Sequence, residues 1–198
     1  IPLGKRLIDI LGASLALILF SPVMLIVAVA IKLTSRGPVI FKQQRVGRGG
    51  KPFIFYKFRS MVVDAEAQKG SLADLNEKDG PIFKIRNDPR ITKVGRFIRK
   101  TSIDELPQLW NVLIGDMSLV GPRPPTIDEI PRYEAWQRRR LELTGGLTCL
   151  WQVSGRSNIG FEDWMRMDIE YMEKRSLLYD LSLLMRTPYE VITGRGAH

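Results

Sequence analysis

Two adjacent acids, Asp104 and Glu105, stand in the segment Arg99-Lys100-Thr101-Ser102-Ile103-Asp104-Glu105-Leu106-Pro107-Gln108, and Gly121-Pro122-Arg123-Pro124 follows a short way downstream. Carboxylates, a divalent cation and guanidinium groups are the parts that phosphoryl transfer needs: the positive groups neutralise non-bridging oxygens while a nucleophile is aligned for displacement. An aspartate can itself be that nucleophile, passing through an acyl phosphate. The competing explanation is a helix cap, since acids at a helix N-terminus meet unpaired N–H groups and the positive end of the dipole. Arg99, Lys100 and Arg123 are more basic than a cap requires. Pro122-Arg123-Pro124 would hold one guanidinium in a stiff loop, and a helix N-terminus is itself an anion site.

Most other catalytic kits are excluded. The only histidine of the 198 residues is His198, so Ser-His-Asp and Cys-His arrangements and His-ligated zinc lack their central residue. The single cysteine, Cys149, cannot form an internal disulfide, in keeping with a reducing compartment. A net charge of +9 suits nucleic acid, anionic lipid or small phosphorylated substrates. Gly47-x-Gly-Gly has no Gly-Lys-Ser/Thr after it and is no P-loop, and no Asp-x-Asp metal motif occurs. Asp128-Glu129 is expected as the solvated start of the segment Ile130–Leu143. Arg138-Arg139-Arg140 is expected on a solvated or lipid-facing surface. Trp151-Gln152-Val153-Ser154-Gly155-Arg156 is either a strand ending in a turn or a place for a nucleotide base and phosphate.

The elements that must position these groups follow from pattern. Val39–Gln44 and Phe53–Arg59 are predicted strands joined at Gly47-Arg48-Gly49-Gly50, with Phe55, Lys57 and Arg59 on one face and Ile54, Tyr56 and Phe58 on the other. Asp64–Asp79 is polar and predicts a short exposed helix and a loop. Thr92–Lys100 predicts a basic amphipathic helix suited to phosphates or a membrane surface. Leu106–Leu113 predicts an apolar helix. Its cap is either Ser102 in the spacing Ser-x-x-Glu with Glu105, or Asp104 with Pro107 in the first turn. Glu162–Glu173 and Asp180–Ile192 predict two further helices, the last containing Pro188 and apolar enough to dip into a lipid interface.

Ile10 to Ile31 is a run of 22 residues without a charge. As a helix of ~1.5 Å per residue it would measure ~33 Å, enough to cross a hydrocarbon core of ~30 Å. It is too long for a signal-peptide core, and no small-residue cleavage pattern follows it. Two observations set a re-entrant hairpin against a Pro-kinked spanning helix. Lys5 and Arg6 precede the run while Lys32, Arg36, Lys42 and Arg45 follow it, whereas a spanning helix concentrates its basic residues on one side. Pro22 removes a donor at mid-run, and Ser21 can satisfy a carbonyl so freed.

Taken in order, Lys5-Arg6-x-x-Asp9, Ser21-Pro22, Tyr56-Lys57-Phe58-Arg59-Ser60-Met61, Ser102 to Gln108, Gly115-Asp116-Met117-Ser118, Gly121-Pro122-Arg123-Pro124 and Trp151 to Arg156 resemble the bacterial sugar transferases, the monotopic phosphoglycosyl transferases of surface-polysaccharide assembly. The resemblance covers nearly the whole chain. It departs at Thr144-Gly145-Gly146-Leu147, where many members carry a Pro-Gly pair. It implies an α+β, mostly helical fold. Residues 1–36 would form a membrane helix–break–helix turning at Ser21 and Pro22, and residues 37–198 an interfacial body with a small β-hairpin, in one catalytic domain on the cytoplasmic face of the bacterial inner membrane. It further implies transfer of a sugar-1-phosphate from a UDP-sugar to undecaprenyl phosphate with release of UMP. Asp104 would be the nucleophile, Glu105 would set the metal or tune Asp104, Mg²⁺ would sit on this pair, and Arg99, Arg123, Lys57, Arg59 and Arg156 would hold substrate. Nucleic acid is not an expected partner, and a homodimer is left open. A chain that starts at Ile1 fits larger members with an added N-terminal membrane region. The rival expectations are direct transfer with Asp104 as a metal ligand only, and a non-catalytic basic membrane scaffold.

Overall fold

The computed structural model describes residues 2–77, 80–155 and 159–193. Helix α1, Leu3–Thr34, runs along a body that comprises, among the described residues, a β-hairpin, a second two-stranded sheet and five further helices, with short 3-10 turns between them. Where the sequence predicts two helices around a break, the backbone stays helical through Ser21-Pro22. Pro22 cannot donate to the carbonyl of Ile18, four residues back, and the Ser21 hydroxyl donates to that oxygen at 2.8 Å. The freed acceptor is therefore satisfied without water.

Both ends of α1 are fastened to the body. Near its start, Arg6 donates through Nη1 to Val112 O at 2.6 Å and through Nη2 to Leu113 O at 2.7 Å, closing the last turn of a later helix. Lys5 pairs with Asp180 and donates to Val120 O at 2.9 Å. Buried Asp9 accepts from Ser118 Oγ and Leu119 N, both at 2.9 Å. Ala13 enters the main core with Phe55, Leu109, Val112 and Leu183. Near its other end, Val27 and Ile31 pack in a second core with Phe58 and Ile98. Between these anchors Leu15, Ile18 and Leu19 are about two-thirds exposed or more, at 68%, 73% and 66%.

Strands β1, Ile40–Val46, and β2, Pro52–Phe58, form the hairpin expected around the glycine turn, shifted by a residue or two from the expected bounds, and pair antiparallel with Ile40 opposite Phe58. Helix α2, Lys93–Lys100, starts at Thr92, whose hydroxyl accepts from Gly95 N at 2.9 Å. Helix α3, Gln108–Ile114, begins two residues later than expected. Strand β3, Ser118–Val120, pairs in parallel with β4, Gly146–Thr148. Between them lies the one-turn α4, Ala135–Arg138. Helices α5, Phe161–Lys174, and α6, Leu177–Thr193, complete the order and extend the predicted spans by a few residues.

Three expectations are corrected. Neither Ser102 nor Asp104 caps α3: Ser102 makes no cap hydrogen bond, Asp104 lies inside the 3-10 turn Ile103–Glu105, and Pro107 precedes α3. Trp151 is in a 3-10 turn, Leu150–Val153, and not a strand, its ring packed on Trp164 with centroids 4.6 Å apart. Arg140 is buried and not on a solvated face, because it finds a carboxylate inside: its Nη2 lies 2.6 Å from Asp168 Oδ2.

Candidate active site

The acid pair is carried by the joint between α2 and α3. Ser102, at φ +55°, is the only non-glycine residue with a left-handed backbone among the described residues. Such backbone is costly for a residue with a Cβ and gathers at functional sites. Here it turns the chain sharply after α2, so that Asp104 and Glu105 enter a groove of about 1550 Å³. The hairpin supplies Lys57 from β2, and the loop after β3 supplies Arg123.

Glu105 and Asp104 differ in their surroundings. Glu105 Oε1 accepts from Lys57 Nζ at 2.7 Å and from Arg123 Nη1 at 3.1 Å. Those two cations explain why it does not serve as a capping-box acceptor: charge-assisted bonds outweigh a backbone N–H. Asp104 is 5% exposed and accepts no hydrogen bond among the described residues. Its nearest cation is Lys57, 3.7 Å from Oδ2. Burial raises the Asp104 carboxyl above the usual range and the Glu105 charge adds to that, while Lys57, Arg99 and Arg123 pull the other way. Burial acts against ionisation of Glu105 too, but Lys57 and Arg123 hold it well below the usual range. Lys57 is lowered by burial, against the attraction of both acids. Two neighbouring carboxyls are thus driven apart, one kept charged by its partners and one left with free lone pairs, which is how acid pairs acquire separate tasks.

The remaining predicted residues divide. Arg99 lines the groove, and its guanidinium makes no hydrogen bond or ion pair among the described residues. Arg59 also lines the groove, but its guanidinium is committed to the end of α1: Nη2 donates to Ser35 O at 3.0 Å and Ser35 Oγ at 2.7 Å, and Nη1 donates to Arg36 O. Arg156 lies outside the described residues, as do Asp79 and His198.

One groove residue was not anticipated. Arg45 donates to Gln43 Oε1 at 2.9 Å and Pro124 O at 2.8 Å, over the Phe55 ring at 5.0 Å. Burial lowers it to about 10, helped by Arg123. A signal for it existed: Phe41, Gln43 and Arg45 share one strand face, and all three line the groove while Lys42 and Gln44 face out.

No group of three or more His, Cys, Asp or Glu side chains suited to a metal occurs among the described residues. With Oε1 of Glu105 taken, the uncommitted oxygens are those of Asp104 and Oε2 of Glu105. That small set fits Mg²⁺ in particular, which is commonly held by one or two carboxylates, substrate phosphates and water.

The family model described as bacterial sugar transferase matches residues 2–194. The chain is 50% identical over 196 residues to the galactosyl transferase CpsE of Streptococcus agalactiae serotype III, covering 98% of this chain and 43% of that protein. It is 46% identical over 201 residues to the undecaprenyl-phosphate galactose phosphotransferase of Salmonella typhimurium, covering 98% and 41%. It is 40% identical over 202 residues to the UDP-glucose:undecaprenyl-phosphate glucose-1-phosphate transferase of Klebsiella pneumoniae, covering 98% and 41%. The chain thus spans about two fifths of the length of these relatives.

Proposed function

The chain belongs to the bacterial sugar transferase family, and from that premise we propose that it transfers a sugar-1-phosphate from a UDP-sugar to undecaprenyl phosphate, releasing UMP, in the initiation of a surface polysaccharide. The observation that carries this reading is the Asp104 carboxylate, free of hydrogen bonds in a cation-lined groove. An Asp104 oxygen attacks the sugar-linked phosphorus of the UDP-sugar, and the bond from that phosphorus to the bridging oxygen breaks, the oxygen leaving with UMP. The aspartyl phosphosugar is then attacked at phosphorus by an oxygen of undecaprenyl phosphate, which restores the carboxylate. Arg99 and Arg123 hold diphosphate oxygens, and Lys57 keeps Glu105 charged beside them. The free oxygens of Asp104 and Glu105 are the groups that would hold Mg²⁺, which when bound would supply further neutralisation of developing charge. The test is UMP release from a panel of UDP-sugars, UDP-galactose and UDP-glucose first, with and without undecaprenyl phosphate. Turnover should need both substrates and stop in excess EDTA; a chain that releases no UMP from any of them does not perform this reaction.

The same assay has an expected pH dependence. Only ionised Asp104 can attack, so the rate falls on one acid limb as pH falls through its pKa, which burial and the Glu105 charge raise and which a cation held at the pair would lower. The fold is not what fails there. A carboxyl whose folded pKa is raised gains stability as it takes its proton, so this group makes the folded state more stable as pH falls through the limb. A rate that stays level as pH falls through the acid range, in protein that is still folded, would remove Asp104 from the base-form role.

The site is proposed to lie at the cytoplasmic face of the inner membrane, with both ends of α1 held at that face. Support comes from its two fastenings to one body, Asp9 to Ser118 and Ile31 to Phe58 and Ile98. A spanning helix would have to surrender one of them. The exposed apolar middle of α1, together with exposed Phe97 of α2, Trp110 of α3 and Met185 of α6, then faces lipid. A cysteine at Pro2, in a Cys149→Ser background, should label from the cytoplasmic side only, and Pro22→Ala with Ser21→Ala should move some of that label across. Labelling of the unaltered helix from the periplasmic side alone would overturn this topology.

A further inference from the structure

The loop Pro122-Arg123-Pro124-Pro125 has one backbone N–H in four residues, because proline has none. It can be fixed through its carbonyls, and each of the four accepts one hydrogen bond. Pro122 O accepts from Gly146 N at 2.9 Å, Arg123 O from Arg140 Nη2 at 2.6 Å, Pro124 O from Arg45 Nη1 at 2.8 Å, and Pro125 O from Val46 N at 2.9 Å. The first contact needs two glycines face to face, since a Cβ on Gly146 would meet Gly121 N at 2.0 Å.

Of these donors, Arg140 is the one that also depends on a buried carboxylate. It is 2% exposed, Nη2 lies 2.6 Å from Asp168 Oδ2, Nη1 donates to the Tyr133 hydroxyl at 3.0 Å, and its guanidinium lies over Trp164 at 5.3 Å. A buried ion pair is a weak source of stability, because desolvation offsets most of its attraction. What a guanidinium offers is a planar fork that fixes several acceptors at once, which an ammonium cannot copy. The acceptor at the end of this fork is the backbone of Arg123, whose side chain reaches Glu105 in the groove.

We propose that Arg140, oriented by Asp168, is a positioning residue that sets where Arg123 presents its guanidinium to the substrate diphosphate. The inference rests on the sugar-1-phosphate transfer proposed above. The probe is UDP, titrated calorimetrically with magnesium chloride into the detergent-solubilised chain, on Arg140→Lys, Asp168→Asn, Arg123→Gln and the Arg140→Lys/Arg123→Gln double variant, with melting curves for each. Arg140→Lys should stay folded and weaken UDP binding about tenfold, the loss expected when one charge-assisted contact is weakened. Asp168→Asn should weaken it in the same direction. Arg123→Gln should weaken it more, and the double variant no further, because both losses act through one side chain. Additive losses, or UDP affinity unchanged in Arg140→Lys, would overturn the proposal. So would failure of both Arg140→Lys and Asp168→Asn to fold, which would assign the pair to the fold alone. A wild-type chain that binds UDP yet releases no UMP defeats the transfer reading while leaving the cycle interpretable; one that binds no UDP defeats both.

Discussion

Asp104→Asn is expected to give a folded protein with UMP release lowered by about 10⁴-fold or more, the scale seen when a catalytic nucleophile is removed. The amide is nearly isosteric with the carboxylate but cannot form an acyl phosphate. The fold should not suffer. Asp104 accepts no hydrogen bond among the described residues, its charge is disfavoured by burial and by Glu105, and Lys57 keeps its closer bond to Glu105 at 2.7 Å. Melting of the variant should therefore match or slightly exceed that of the wild type. The companion measurement is mass spectrometry of wild-type protein quenched after mixing with UDP-sugar alone. A phosphosugar adduct on the peptide containing Asp104 is expected, and it separates the two-step route from direct transfer, in which Asp104 is never modified. Near-wild-type UMP release from a folded Asn variant would end the nucleophile assignment.

What a single chain reveals here depends on whether a residue's partner is near in sequence. The β-hairpin was legible because alternation and a glycine turn are local, and the Thr92 start of α2 for the same reason. The acid pair was legible as a candidate, since two acids among arginines suit phosphoryl transfer as well as a helix cap, and the structure adds the groove and the two cations beside it. Its backbone was not: Ser102 has the spacing of a capping box, but Glu105 is drawn off by Lys57, 48 positions away, and Arg123, 18 away. Arg140 shows the same limit more sharply. Nothing in Arg138-Arg139-Arg140 distinguishes the third arginine from the first two, and only the fold brings Asp168 to it. Arg59 shared a strand face with Lys57, yet the end of α1 reaches it first. Ser21-Pro22 was legible in its hydrogen bonding, since Ser21 does satisfy a carbonyl of the preceding turn. The helical backbone through the pair was not, because one lost donor can be compensated locally.

Glu105→Gln is expected to lower turnover by about 10²–10³-fold and to destabilise the protein by about 3 kcal/mol, as when one member of a buried ion pair is removed. Lys57 and Arg123 have side chains only 18% and 16% exposed, and both converge on the one oxygen that the change neutralises. Each is left with a buried charge and no full counterion. The nearest remaining carboxylate is Asp104, 3.7 Å from Lys57. Lys57 should close on it, occupying the lone pairs proposed to attack phosphorus and drawing its pKa down. The activity loss should therefore come with an acid limb moved to lower pH, a signature that simple misfolding does not produce. Arg123, losing its side-chain anchor, should hold the diphosphate less well, which raises KM for the UDP-sugar as kcat falls. Adding Lys57→Met to Glu105→Gln removes one stranded charge. Melting should then recover in part, while turnover stays low because the groove still lacks the carboxylate that orders Arg123. Wild-type turnover and melting in Glu105→Gln would show that the pairs with Lys57 and Arg123 organise nothing that the reaction uses.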